Sequence, residues 1–204
     1  MSQKTLDIVQ ETDWKDIEMQ IAFHCAPLIV GLKLSNLLML KDKDLDRAAN
    51  ILKRAGISYF VVAAANGKAA VLLFDRERLE AYLRKEKVWK IFQDMGYQDN
   101  CMGKILYAFR VRYEGYLMQN WEFPHEMGLL LGYPVEDVEG FIRNGGENSL
   151  YIGYWKVYEN LSEKILLFNK FEKARDTLIC LLTNGLGIVE IIQKRMLFEN
   201  ICLN

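Results

Sequence analysis

Histidine, proline and cysteine are scarce in this 204-residue chain, with two, three and four copies respectively. A structural zinc site takes about four ligands, or three plus water. His24 and His125 have only Cys25 and Glu126 as close ligand-type neighbours, so no spacing here predicts a metal site. Cys25, Cys101, Cys180 and Cys202 form no CxxC or other close pair. That excludes a disulfide framework of the secreted kind and points to reduced thiols. Charge of one sign is also missing: 26 Lys and Arg face 27 Asp and Glu, for a net charge of -1. The chain therefore exerts no general pull on nucleic acid or an acidic membrane. No stretch approaches the roughly 20 apolar residues of a membrane span. The most apolar run, residues 29–40, is interrupted by Lys33, Ser35 and Asn36. Residues 1–17 carry charges where a signal peptide needs an apolar run. The expectation is a cytoplasmic protein without nucleic-acid or membrane partners. Neither GxGxxG nor GxxxxGK[ST] occurs, and no motif identifies a cofactor, which leaves the cofactor unknown.

What is present is a folding composition, 51% hydrophobic and 26% charged. Domains run to about 100–200 residues, so one domain over 1–204 is expected, with residues 1–12 loosely attached. The pattern predicts an α+β fold. Residues 57–74 hold two β-rich runs around Asn66-Gly67, and both turn residues tolerate the positive φ of a tight hairpin. The runs are continuously apolar, which predicts helices covering the sheet. Residues 151–158, rich in aromatics and valine, are a candidate third strand. Helical spacing predicts a first helix over 14–25 capped by Asp13, broken by Pro27, and a buried second helix over 27–40. Further helices are expected over 44–54, stopped by Gly56, over 76–85, capped by Asp75, and over 88–95 and 102–118. Two more are expected over 161–182 and 187–199. In the last, Ile188, Ile191, Ile192 and Met196 make a stripe that closes the core or forms a homodimer face. The mixed charges between Arg76 and Lys90 read as an ordinary helix surface.

Residues 122–158 are the densest part. Pro124 and Pro134 each suit the start of a short helix. Gly128 and Gly132 lie four apart, where another element can approach closely. Glu136 and Asp137 fall in a first turn, which acids favour through the helix dipole. His125, Glu126, Tyr133, Trp155 and Lys156 are candidates to line a partly aromatic pocket. Cys25 is the candidate thiol, with His125 as its base if the fold joins them.

Three segments carry a resemblance. They are FPHEMGLLLGYPVEDVEGFI at 123–142, GGENSLYIGYWKVYEN at 145–160 and HCAPLIVGLKLSNLLML at 24–40. The chain resembles a Firmicutes family known as domain of unknown function 3793. The resemblance singles out Cys25, Pro27, Gly31, Lys33 and Asn36, and so adds Lys33 and Asn36 to the candidate ligand-binding residues. Relatives often carry several cysteines before the Trp-Lys-Val-Tyr run, and residues 149–154 here carry none. Any metal or redox role of those cysteines does not extend to this chain. Three functions stay open: a non-catalytic protein binding a small molecule or a protein partner through 122–158, an enzyme or redox accessory using Cys25 and His125, and a structural homo-oligomer.

Overall fold

The computed structural model describes residues 16–194. Asp13, Trp14, Met196, Cys202 and the segment 1–12 lie outside them. The elements in order are α1 (Ile17–Ile29), β1 (Ser35–Lys41), α2 (Leu45–Arg54), β2 (Ser58–Ala65), β3 (Lys68–Phe74), α3 (Arg76–Leu83) and α4 (Glu86–Asp94). Then come α5 (Met102–Leu117), α6 (Met127–Leu130), α7 (Val135–Arg143), β4 (Tyr151–Ile152), β5 (Lys156–Val157), α8 (Leu161–Thr183) and α9 (Ile188–Gln193). The α+β class expected from the sequence is the class observed.

The Asn66-Gly67 turn joins β2 to β3 with φ of 53° and 73°, the left-handed pair that a tight hairpin demands. β3 is the central strand of an antiparallel sheet in the order β1-β3-β2. Side chains alternate across a strand, so β3 feeds two cores. Ala69, Val71 and Leu73 join a cluster with α1, α2, α8 and α9. Ala70, Leu72 and Phe74 join a second cluster built from α3, α4, α5, α6 and Val138 of α7. Both faces are covered, which is why the strand is apolar without alternation.

Two expectations are corrected. The buried helix over 27–40 is not there: α1 runs through Pro27 and ends at Ile29, Gly31 turns at φ 81°, and 35–41 is strand β1. A short apolar run reads equally as helix or strand, and pairing with β3 decides it. Nor does 151–158 add to the hairpin. It folds on itself as β4–β5, with Tyr151 opposite Val157. The ladder packs on α8, where a Cβ at Gly153 would come within 2.4 Å of the Phe168 ring.

Pro27 does not break α1 because its defect is repaired from outside. Proline has no N–H to give the carbonyl four residues back. That carbonyl, Phe23 O, accepts Arg175 Nε at 3.0 Å. The same guanidinium donates to Tyr154 Oη at 2.8 Å and stands 5.0 Å from the Phe23 ring centroid. One arginine of α8 thus ties α1 to the β4–β5 ladder. Asp16 caps α1 by accepting Glu18 N, and Asp75 caps α3 by accepting Arg78 N, as expected for Asp75. Ile188 and Ile191 of the C-terminal stripe are buried in the chain's own first core.

Arg175→Met should lower unfolding free energy in urea by about 1.5–3 kcal/mol, the cost of a lost charged hydrogen bond to a partly buried carbonyl. Adding Pro27→Ala should return part of that loss, because the new amide N–H can satisfy Phe23 O. Additive effects of the two substitutions would contradict this account.

Candidate functional site

The 122–158 block is held together by one carboxylate. Asp137, 2% exposed on α7, accepts Trp155 Nε1 at 2.7 Å, Tyr158 N at 2.7 Å and Glu159 N at 3.2 Å. A buried indole N–H needs an acceptor, and the strand end supplies two further donors. Gly140, one turn on, leaves room for Tyr158, whose Cγ would stand 2.5 Å from a Cβ there. Lys164 of α8 adds an ion pair to Glu136 Oε1 at 2.7 Å. That contact holds the Glu136 carboxyl below its ordinary pKa against the opposing effect of burial.

Trp155, fixed in this way, stacks on Tyr133 with centroids 4.9 Å apart and meets Phe168 edge-on at 4.6 Å. Tyr133 is fixed as well: its carbonyl accepts Tyr82 Oη at 3.1 Å. Gly132 turns at φ 69° in front of it, with Leu34 filling the space a side chain would need. Gly128 lets Val138 approach, since a Cβ would come 2.9 Å from Val138 Cγ2. The close approach expected at the two glycines is therefore made by side chains of α7 and of the loop before β1. Ser35 Oγ donates to Leu130 O, satisfying a carbonyl at the end of the short α6.

These contacts border a partly open cavity of ≈ 260 Å³. Tyr133 and Trp155 form one wall, and Met127, Leu131, Val138 and Phe141 supply apolar lining. His125 and Lys156 bring polar atoms to it. Lys156 Nζ donates to Gly146 O at 2.6 Å, beside the Phe141 ring. The His125 ring lies 5.4 Å from that of Phe141 and 5.8 Å from that of Phe123. Four of the eight sequence candidates, His125, Tyr133, Trp155 and Lys156, therefore meet at one cavity.

The other four do not line it. Lys33 is buried behind the aromatic wall, its Nζ 5.3 Å from the Tyr133 centroid and 3.1 Å from Asn36 Oδ1. Asn36 Nδ2 in turn reaches His24 O at 2.9 Å and Cys25 Sγ at 3.6 Å. Cys25 is fully buried in the first core, and no hydrogen bond joins it to His125. Burial pushes its thiol up to about 12, opposed by Asn36 and Lys33, so the nucleophilic thiolate is disfavoured at neutral pH. Glu126 is buried and paired with Arg112 Nε at 2.7 Å and Tyr97 Oη at 2.8 Å, and it lines a different cavity. Among the described residues, no group of three His, Cys, Asp or Glu side chains could hold a metal ion. Nor is any described helix long and apolar enough to cross a membrane.

Sequence reasoning missed Asp137 as the organising group, because a first-turn acid needs no further explanation. The available signal was Trp155, an indole in a strand-like run that required a buried acceptor. It also missed Phe123, Met127 and Phe141 as lining residues; nothing in their spacing distinguishes them from core.

Burial drives the Lys33 amine down to about 8. Between about pH 8 and 10.5 the unfolded chain keeps this proton and the folded chain does not, so stability conferred at residue 33 rises with pH. At roughly 1.4 kcal/mol per pKa unit, the stability of the wild type relative to Lys33→Met should rise by about 3 kcal/mol across that window in urea titrations. A pH-independent difference would show that the Lys33 amine is not shifted on folding.

No curated protein and no solved structure matches this chain. A model built for proteins of unknown function matches residues 21–192, a span that contains both sheets and every residue at the cavity. The chain belongs to that family, the proteins of unknown function called DUF3793.

Proposed function

We propose that the chain is a non-catalytic binding protein that takes a compact, largely apolar small molecule with an acidic or carbonyl head in the Tyr133–Trp155 cavity. The observation that carries this reading is the cavity itself, with an aromatic wall fixed by hydrogen bonds to a buried carboxylate. Its volume, ≈ 260 Å³, falls below the ~300–1,000 Å³ of drug-sized sites, so the body of the ligand is a single ring or a short acyl chain. A lysine ammonium has three donors, and Gly146 O takes one of Lys156's. The remaining donors suit a carboxylate or carbonyl. The lining contains no serine or cysteine nucleophile, and its one carboxylate, Asp137, is engaged by N–H donors. Such a wall binds and orients a ligand but offers no activated attacking group. The concave shape and small volume favour a small molecule over a protein segment.

Phenylacetate is a suitable probe: one ring, one carboxylate. In titrations of the full chain followed by NMR, it should shift the Trp155 indole N–H resonance saturably. Lys156→Met, with an unchanged melting temperature, should weaken that binding about tenfold or more, the equivalent of ~1.4 kcal/mol. A ring-containing acid and a short fatty acid both failing to perturb Trp155 at about 10 mM, a bound state worth less than ~3 kcal/mol, would remove the support for the reading.

A further inference from the structure

A second cavity, of ≈ 360 Å³, shares His125 and Phe123 with the first, and its polar groups are incompletely satisfied. Glu126 lines it and is 0% exposed. Its Oε1 takes both Arg112 Nε and Tyr97 Oη, while its Oε2 is buried with no hydrogen-bond partner. The adjoining His125 Nδ1, on the same lining, is also buried without a partner. An unpaired polar atom inside a protein costs about 1–3 kcal/mol, and more when it belongs to a charged group. Two of them lie in consecutive residues at one cavity, and Glu126 Oε2, a carboxylate oxygen that accepts, is the one that lacks a donor.

Arg112 does not supply that donor in this arrangement: its Nε pairs with Glu126 Oε1, its Nη1 donates to Met95 O at 3.0 Å, and the guanidinium lies 5.6 Å from the Tyr97 ring. With Glu122 also on the lining, two carboxylates face one guanidinium, for a formal charge of -1 with His125 neutral. The apolar lining is Met95 and the rings of Trp121 and Phe123. Gly115 leaves room for Trp121, whose Cε3 would lie 2.5 Å from a Cβ there, so the indole is seated on α5 while 52% exposed. Phe123 is braced edge-on by Tyr116 at 5.2 Å. A carboxylate oxygen short of a donor, beside exposed aromatic rings and a net negative charge, matches an organic cation.

We propose that this second cavity binds a primary amine in its ammonium form. Glu126 Oε2 accepts an ammonium N–H, Glu122 contributes longer-range attraction, and Trp121 and Phe123 flank the carbon body. The two cavities share His125 and Phe123, but the charged groups invoked here, Glu122 and Glu126, line only the second.

The test is to titrate the full chain with benzylammonium, and in parallel with its neutral counterpart benzyl alcohol, by calorimetry and tryptophan fluorescence. Benzylammonium should bind saturably and at least about tenfold more tightly than benzyl alcohol. Glu126→Gln should abolish that preference, and added salt should weaken the binding. Glu126 is buried, so Glu122→Gln at an exposed position provides a second test that leaves the core intact, with an expected loss of about two- to fivefold. Equal affinity for amine and alcohol, or no saturable amine binding to the wild type, would overturn the proposal; in the second case water alone satisfies Glu126. Failure of the acid-binding reading is recorded separately, by phenylacetate leaving Trp155 unperturbed.

Discussion

The buried carboxylate of Asp137 is the constraint on which the rest of the site depends. Alone, a charged oxygen pair in a 2%-exposed position would be prohibitively costly. It is tolerated because three N–H donors, from Trp155, Tyr158 and Glu159, converge on it. The convergence fixes the distance between α7 and the end of the β4–β5 ladder, and it sets the rotamer of Trp155. Tyr133 then has a rigid surface to stack on, and the cavity has a wall fixed by the chain's own hydrogen bonds. Preorganisation of this kind lowers the ordering cost of binding.

A second tie, independent of the first, joins this block to the remainder of the molecule. Arg175 reaches from α8 to the carbonyl orphaned by Pro27 and to the Tyr154 hydroxyl. Lys33 adds a contact from the loop before β1 to the Tyr133 ring. Three segments distant in sequence, 23–36, 133–137 and 154–175, are therefore coupled through polar groups that are largely buried. Cys25, Pro27, Lys33 and Asn36, four of the five residues singled out in the N-terminal family-like segment, lie around this junction and not at the cavity. Their placement makes them supports of the aromatic wall. Cys25 fits that role: its thiol is buried, contacts Asn36 and is held in its protonated form by burial.

Much of the fold was legible in the sequence because local signals agreed with the tertiary outcome. Asn66-Gly67, the Asp75 cap and the Gly56 stop each act within a few residues, and each appears in the structure where its chemistry predicts. The errors share one cause, which is that a distant partner decided the matter. Residues 35–41 are a strand because β3 offers an edge, and α1 survives Pro27 because Arg175, 148 positions later, repairs it. The cavity was half legible. His125, Tyr133, Trp155 and Lys156 were found as polar or aromatic residues in a dense block. Asp137 was hidden behind an adequate local explanation, and the Glu126–Arg112–Tyr97 group is assembled from three separate elements.

The most direct measurement is of Asp137→Ala and Asp137→Asn together, by urea unfolding and by hydrogen exchange of the tryptophan indole N–H groups. If the carboxylate holds the wall, Asp137→Ala loses about 2–5 kcal/mol, since its substitution leaves buried donors unpaired. Asp137→Asn, which keeps an acceptor oxygen, loses less. In both, protection of the Trp155 indole falls while that of Trp89, on α4, is retained. A loss below about 1 kcal/mol in Asp137→Ala, within the range of ordinary surface changes, with Trp155 still protected, would contradict the account.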